Sequence, residues 1–262
     1  MRLHAAGGPS LWEVEWRERD GARWLEAELD GARAAFTTRL GGVSDAPFDS
    51  LNLGLLTGDR PEAVRTNRHL LAAALGLEPD RVLIGRQVHG TGVQVRDDPP
   101  DPNGFGEPGS VEPAEVDGQA TATPGLAPLV FVADCLPVAL KGPDGVAMIH
   151  CGWRGLAGGI VARGAEGVGA TEAAIGPGIG RCCYEVGEEI LEAFAPLGEG
   201  IADDRMLDLA EVARRLLDRA GVGRVESADL CTKCNAELFF SHRRDNGVTG
   251  RQAGLVWRDG DG

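Results

Sequence analysis

Apolar positions recur along the chain with two different periods. Pro61–Leu75 places Val64, Leu70, Leu71 and Leu75 at helical spacing, with a proline in the first turn and Gly76 as a stop. Leu207–Ala220 is the clearest amphipathic segment, with Leu209, Val212, Ala213, Leu216 and Leu217 on one face and arginines on the other. Leu156–Val168, which contains glycine, and Val186–Phe194 read as further helices. Short apolar runs bounded by Gly, Pro and Asp predict strands at Trp12–Trp16, Trp24–Leu29, Ala34–Thr38, Val82–Ile84, Val93–Val95 and Ala120–Thr123. Further runs follow at Leu129–Val132, Val138–Leu140, Val146–Ile149, Glu172–Ile175, Val225–Leu230 and Ala253–Trp257. Gly142-Pro143-Asp144-Gly145 is a turn signal, so Val138–Leu140 should pair with Val146–Met148. Strands interleave with helices and no repeat or linker interrupts them. One α/β domain spanning 1–262 is therefore expected, with a core at about 36–257 and residues 1–30 as an N-terminal extension. The stretch Asp97–Pro113, rich in Asp, Pro and Gly, reads as an exposed loop.

Composition narrows the partners. A chain of 262 residues with 43% hydrophobic and 25% charged residues can bury a substantial core. Its formal net charge is −14, and no Lys/Arg run is longer than Arg243-Arg244, which excludes an extended nucleic-acid footprint and disfavours an anionic membrane surface. A small anionic substrate stays compatible, because a few local arginines override the global charge. The sequence has no run long enough to cross a membrane and no signal-peptide pattern at its start, so the expectation is a cytoplasmic protein, read here as a monomer. Six cysteines are too few for a disulfide scaffold and should be thiols or metal ligands.

Of five histidines, His4 lies in the N-terminal extension and His69 inside a helix, each without a cysteine or second histidine nearby. His89, Cys135 and His150 instead follow apolar strand runs. Two imidazoles and a thiolate from three strand ends could form a three-ligand site with an open fourth position, the pattern of a catalytic zinc rather than a closed structural one. The competing reading is that Cys135 is simply a packed thiol. Cys151 follows His150 and should point to the opposite side of its strand. Cys231 and Cys234 form a single CxxC without a second ligand pair in sequence, and Cys182-Cys183 is an isolated pair; both read as structural thiols. Arg39, Arg154, Arg243, Arg244 and Arg251 sit in polar or Gly-rich loops, where converging guanidiniums would make an anion site suited to phosphate. Gly176–Gly180 is neither a Walker loop nor a dinucleotide fingerprint.

The ordered blocks TTRLGGVS, SLNLG, NRHLL, QVHG, VDGQAT, ADCLPV, HCGWRGL, AIGPGIG, YEVG and SHRRDNGVTGRQAG resemble a known family. It has been called the multicopper polyphenol oxidase or laccase-domain family, the peptidoglycan editing factor family and a purine nucleoside phosphorylase family. The resemblance runs from about Phe36 to Trp257. It implies a mixed α/β (α+β) β-sandwich flanked by helices, similar to the catalytic domain of cytotoxic necrotizing factor. It also implies that His89, Cys135 and His150 bind metal and carry the chemistry, with Arg39, Asn52, Asp134, Arg244 and Arg251 lining the pocket. The block HCGWRG departs from the family's common HAGWRG at Cys151, which sets a second thiol beside a ligand and leaves open an alternative ligand set.

The activities implied differ in what they demand. Laccase chemistry needs a blue-copper site plus a trinuclear cluster, and five histidines, two of them misplaced, are too few. Phosphorolysis of adenosine, inosine, guanosine or methylthioadenosine needs phosphate, an anion site and a polar grip on the base. Adenosine deamination needs an activated water beside a ring carbon, for which a His/Cys/His zinc, or copper in its place, is suited. A cysteine hydrolase that edits peptidoglycan precursors, with Cys135 as nucleophile, is the alternative. A metal-binding protein without turnover is the third.

Overall fold

The protein was described from a computed structural model, which covers residues 15–100 and 104–260. In chain order the described strands are β1 (Glu15–Arg19), β2 (Ala22–Leu29), β3 (Ala32–Thr37), β4 (Val82–Leu83), β5 (Val93–Val95), β6 (Gly118–Thr121) and β7 (Ala127–Val132). They continue with β8 (Leu136–Gly142), β9 (Gly145–Cys151), β10 (Glu172–Ile175), β11 (Ala202–Asp203), β12 (Met206–Leu207), β13 (Arg224–Ser227) and β14 (Gln252–Trp257). The helices are α1 (Pro61–Leu75), α2 (Trp153–Gly158), α3 (Ile160–Val168), α4 (Glu188–Phe194) and α5 (Leu209–Arg219).

Two six-stranded mixed sheets carry the fold, in the orders β1-β2-β3-β14-β7-β4 and β13-β10-β8-β9-β6-β5. They pack face to face. Leu25, Ala27, Phe36, Val130 and Val132 of the first sheet meet Ala139, Val146, Met148 and Ala174 of the second. Alternate residues of the same strands point outward, as the two-residue period of a strand requires. Trp24, Ala35, Leu129, Leu255 and Trp257 pack with Leu71 and Leu75 of α1. Val138, Leu140, Ala147 and Ile149 pack against α3 and α5 through Ile160, Val161, Val212 and Leu217. The result is four layers, helix on sheet on sheet on helices, in one domain. The central strands β7, β8 and β9 are covered on both faces, which explains why they read as continuous apolar runs rather than alternating ones.

The predicted hairpin is present, with Val138 opposite Ile149, Ala139 opposite Met148 and Leu140 opposite Ala147. Three expectations change. The helix read over Leu156–Val168 breaks at Gly159, whose φ of 94° is left-handed, so α2 ends and α3 starts in a new direction. The stretch at Asp97–Pro113 is not simply exposed: Phe105 is fully buried against the α1 face, and the Arg68 guanidinium stacks on its ring and donates to the Gly104 carbonyl. The strand read at Trp12–Trp16 is described only from Glu15, since residues 12–14 fall outside the described part. No helix among the described residues is long and apolar enough to cross a membrane.

Candidate metal and catalytic centre

Two loops and a strand end meet at Cys135, at one end of the second sheet. His89 lies between β4 and β5, Cys135 immediately precedes β8, and His150 is the penultimate residue of β9, paired across the ladder with Pro137. One ligand atom from each of His89, Cys135 and His150 lies within 4.8 Å of the other two. The two imidazoles meet edge to face, with centroids 4.9 Å apart and planes at 69°. His150 and Asp134 are buried, Cys135 is half-buried and His89 is exposed, so the group opens toward solvent on the His89 side.

A single carboxylate sets this geometry. Asp117, fully buried just before β6, accepts the backbone N–H groups of Val88 (3.1 Å), His89 (2.9 Å) and Gly90 (2.7 Å). It also accepts from Nδ1 of His150 at 2.8 Å. An ionised carboxylate cannot donate, so Nδ1 carries the proton and Nε2 is left for Cys135. The same three N–H bonds hold His89 at a φ of 58°, a left-handed conformation that a non-glycine residue keeps only when its surroundings impose it. Asp117 thus orients both imidazoles, one through its ring and one through its backbone.

Electrostatics follow the geometry. Burial works against a charged Cys135, yet the adjacent His150 and His89 hold its thiol at about 6. Burial likewise works against an imidazolium at His150, but the Cys135 thiolate and the Asp117 hydrogen bond raise it to about 9. Without a metal, the centre is therefore a thiolate–imidazolium pair at neutral pH. Burial lowers the Arg251 guanidinium, while the negative charges at Cys135 and Asp134 act the other way. Burial pushes the Tyr184 phenol up to about 12, within range of the charges on Cys135, Arg243, Arg154 and Asp134. The Tyr184 phenol thus feels the charges of Cys135, Arg243 and Arg154, the Arg243 guanidinium stacking on its ring, and Arg251 feels those of Cys135 and Asp134.

The other residues singled out in the sequence fall around this centre in distinct ways. Asp134, at a φ of 89°, uses its carboxylate to accept from Thr232 Oγ1 (2.6 Å) and the Arg243 N–H (2.7 Å), tying two loops to the residue before Cys135. Asn52 is fully buried; its amide donates to Thr57 and Asp59, and its Oδ1 accepts the N–H groups of Gly54 and Arg251. It therefore places Arg251 and does not itself open onto the centre. Arg39 stacks on Phe240 and is engaged by the Asp49 and Ala236 carbonyls. Arg244 is engaged by Asp245 and by the carbonyls of Thr232 and Phe239. Both shape loops rather than present free guanidiniums. Cys151 points away from the trio into the helix-side core, fully buried, and burial pushes its thiol well up.

The donor set fits a divalent metal. Two imidazoles and a thiolate converge on one point, the Nδ1 proton of His150 is taken by a carboxylate, and a fourth side is open, which are the features of a catalytic zinc shell. Gly152 belongs to the same fit: a Cβ there would lie 3.0 Å from Cys135 Sγ and 3.2 Å from a His89 ring carbon, so only glycine leaves the space clear.

A four-layer α/β protein with a His/Cys/His centre at a sheet end is the class that this architecture defines. The chain belongs to the multi-copper polyphenol oxidoreductase laccase family, whose pattern matches residues 33–259. It is 36% identical to purine nucleoside phosphorylase YlmD of Geobacillus stearothermophilus, over 92% of this chain and 96% of that one. It is 38% identical to purine nucleoside phosphorylase YfiH of Escherichia coli, over 87% and 94% respectively. Among solved structures it is similar to YlmD from Geobacillus stearothermophilus, with a TM-score of 0.84, 34% identity and coverage of 96% of this chain and 100% of that chain. It is also similar to a YfiH protein of Bacillus licheniformis, with a TM-score of 0.83, 32% identity and coverage of 92% and 98%.

Sequence reasoning missed two features. Asp117 stands in the quoted block VDGQAT, but nothing in its spacing marks it as the residue that orients both histidines; the signal was its position directly before a strand pairing with β9. The cysteines read as two unrelated structural pairs, Cys182-Cys183 and Cys231/Cys234, come together in one cluster.

Proposed function

We propose that the protein is a purine nucleoside phosphorylase that also deaminates adenosine, with His89, Cys135 and His150 as its metal-binding and catalytic residues. The observation that carries this reading is the His/Cys/His group open on its His89 side, supported by the names of relatives at this level of identity. Phosphorolysis asks for a held phosphate and a stabilised leaving base. Arg251 is the arginine within electrostatic reach of Cys135, with Arg154 and Arg243 within reach of Tyr184, and Asp134 and Asn52 keep the loops bearing Arg243 and Arg251 in place. Zinc, or copper in its place, would be held by the three ligands and would supply Lewis acidity toward water or the purine ring. His150, protonated at Nδ1 by virtue of Asp117, keeps a fixed tautomer throughout. Arg39 and Arg244 act by shaping the pocket. The protein is read as a cytoplasmic monomer acting on a small-molecule nucleoside.

Zinc-loaded protein given adenosine and phosphate should release adenine and ribose 1-phosphate, and should form inosine from adenosine when phosphate is left out. If neither adenine nor inosine accumulates, the proposal is wrong for this chain. A second reading, a cysteine hydrolase that edits peptidoglycan precursors, draws on the thiol set between two imidazoles. It predicts covalent trapping at Cys135 by an electrophilic substrate analogue and turnover that chelators leave unchanged.

A further inference from the structure

Outside the proposed active centre, four thiols gather at the surface. Cys182 and Cys183 lie on the turn after β10, and Cys231 and Cys234 on the turn after β13. All four sulfurs lie within 4.8 Å of one another, and Cys234 Sγ is 3.5 Å from both Cys182 Sγ and Cys183 Sγ. We propose that Cys182, Cys183, Cys231 and Cys234 form a second metal site, a tetrathiolate that takes a structural zinc ion and clamps the loops behind the active centre.

The spacing is what a mononuclear tetrahedral ion requires. With Zn–S bonds of about 2.3 Å, the edges of the tetrahedron are about 3.8 Å, and the sulfurs stand on either side of this separation, two pairs at 3.5 Å and all within 4.8 Å. A disulfide accounts for the arrangement less well. Cys234 is equidistant from two partners, so the geometry singles out no one disulfide, whereas a metal engages all four sulfurs at once. Four thiol donors select a soft ion, and a closed tetrathiolate leaves no open position for chemistry, which makes the role structural.

The backbone around the sulfurs is built for such a site. The Gly180 N–H donates to Cys231 Sγ at 3.2 Å, the Cys183 N–H to the Gly180 carbonyl at 2.9 Å, and the Asn235 side chain to the Cys231 carbonyl at 2.8 Å. N–H groups aimed at a ligating sulfur neutralise part of its charge and fix its direction. Gly180 also keeps the space clear, since a Cβ there would sit 3.1 Å from Cys231 Cβ and 3.4 Å from Cys182 Sγ.

What the clamp would hold is visible in the contacts. Thr232, inside the CxxC turn, donates through its hydroxyl to Asp134, and its N–H reaches the Gly178 carbonyl at 2.9 Å. The Ile179 N–H donates to the Asp134 carbonyl at 2.8 Å. Tyr184 follows Cys183 directly and lies under the Arg243 guanidinium. Both turns thus bear on Asp134, the residue before Cys135. On binding zinc, each thiol still protonated releases its proton to solvent, so uptake is coupled to pH but to no redox step.

The test counts metal and thiols apart from activity. Protein carrying His89→Ala, Cys135→Ala and His150→Ala should still bind about one zinc per chain, and about one cobalt with the intense thiolate-to-cobalt charge-transfer band of a tetrathiolate. Cys182→Ser with Cys234→Ser in the otherwise unaltered chain should abolish that component and leave the His/Cys/His metal bound. Because these serine variants can fold poorly, the unaltered chain is also titrated with a thiol reagent: zinc should protect four thiols besides Cys135. The proposal is overturned if the triple variant binds neither zinc nor cobalt, if zinc leaves those thiols as reactive as before, or if mass analysis of freshly purified protein finds the four joined as disulfides.

Discussion

At the scale of single residues, Asp117 reaches both imidazoles of the proposed metal site, His150 through its ring and His89 through its backbone. Asp117→Asn keeps the size but sets an amide N–H₂ against donors that now meet a carboxylate, so His150 loses its fixed tautomer and His89 its backbone anchor. Metal affinity at the His/Cys/His centre should fall about 10–100-fold, read by competition with a chromophoric chelator; an unchanged affinity would show that Asp117 does not orient the ligands. Gly152→Ala acts from the other direction, by pressing a methyl group between Cys135 and His89. It should weaken the same metal while leaving the far-ultraviolet circular dichroism intact. Acid behaviour turns on carboxylates. Burial works against a charged Asp245, but Arg244 and Thr249 hold it below its ordinary value. Burial also opposes Asp117, and the His150 and Gly90 hydrogen bonds prevail there too. The folded state then binds fewer protons than the unfolded one, whose carboxylates titrate near 3.9. Their contribution is complete above that value and lost as pH falls through the lower folded pKa. Urea midpoints measured at successively lower pH should drop below about pH 4, and Asp245→Asn should flatten that fall.

At the scale of elements, most of the architecture was legible because its strands announce themselves. β7, β8 and β9 are buried on both faces and read as unbroken apolar runs, and the Gly-Pro-Asp-Gly turn fixed the partner of β8. α5 was legible from its apolar stripe, and its start is set by Asp208, whose carboxylate accepts the Glu211 N–H at 3.0 Å. Asp208→Ala should cost about 1 kcal/mol in chemical denaturation, and no loss would mean the cap is idle. His89, Cys135 and His150 were visible because each ends an apolar run. The four-cysteine cluster was not, since Cys182 and Cys234 are 52 residues apart and only the parallel pairing of β10 with β13 brings their turns together. Phe105 was hidden by its Asp-, Pro- and Gly-rich neighbours, which speak for solvent while one aromatic ring speaks for the core. Phe105→Ala should destabilise by about 3–5 kcal/mol, far more than an exposed loop residue would.

At the scale of the whole molecule, charge is distributed against its average. The chain carries −14 overall, yet Arg251 lies within electrostatic reach of Cys135, and Arg154 and Arg243 within reach of Tyr184. On the proposed function, phosphate would cross a negatively charged envelope to reach these arginines, so two opposing fields would shape its capture. Salt screens the long-range repulsion between exposed charges more than the short contacts of a half-buried site. On the proposed function, raising ionic strength from very low values should first lower KM for phosphate and only later raise it, while KM for the uncharged nucleoside stays flat. A KM for phosphate that only rises would mean the envelope plays no part.

β14 has a place in its sheet that bears on how the chain is made. It lies between β3 and β7, hydrogen-bonded to both, so residues near 35 and near 130 are joined only through residues 252–257. A ribosome delivers those residues after every other described strand. Until they emerge, β3 and β7 each present an open edge with no neighbour, a condition that invites pairing between nascent chains. Completion of the first sheet therefore waits for residues 252–257, made well after β3 and β7, and both of those strands keep an unpaired edge until then.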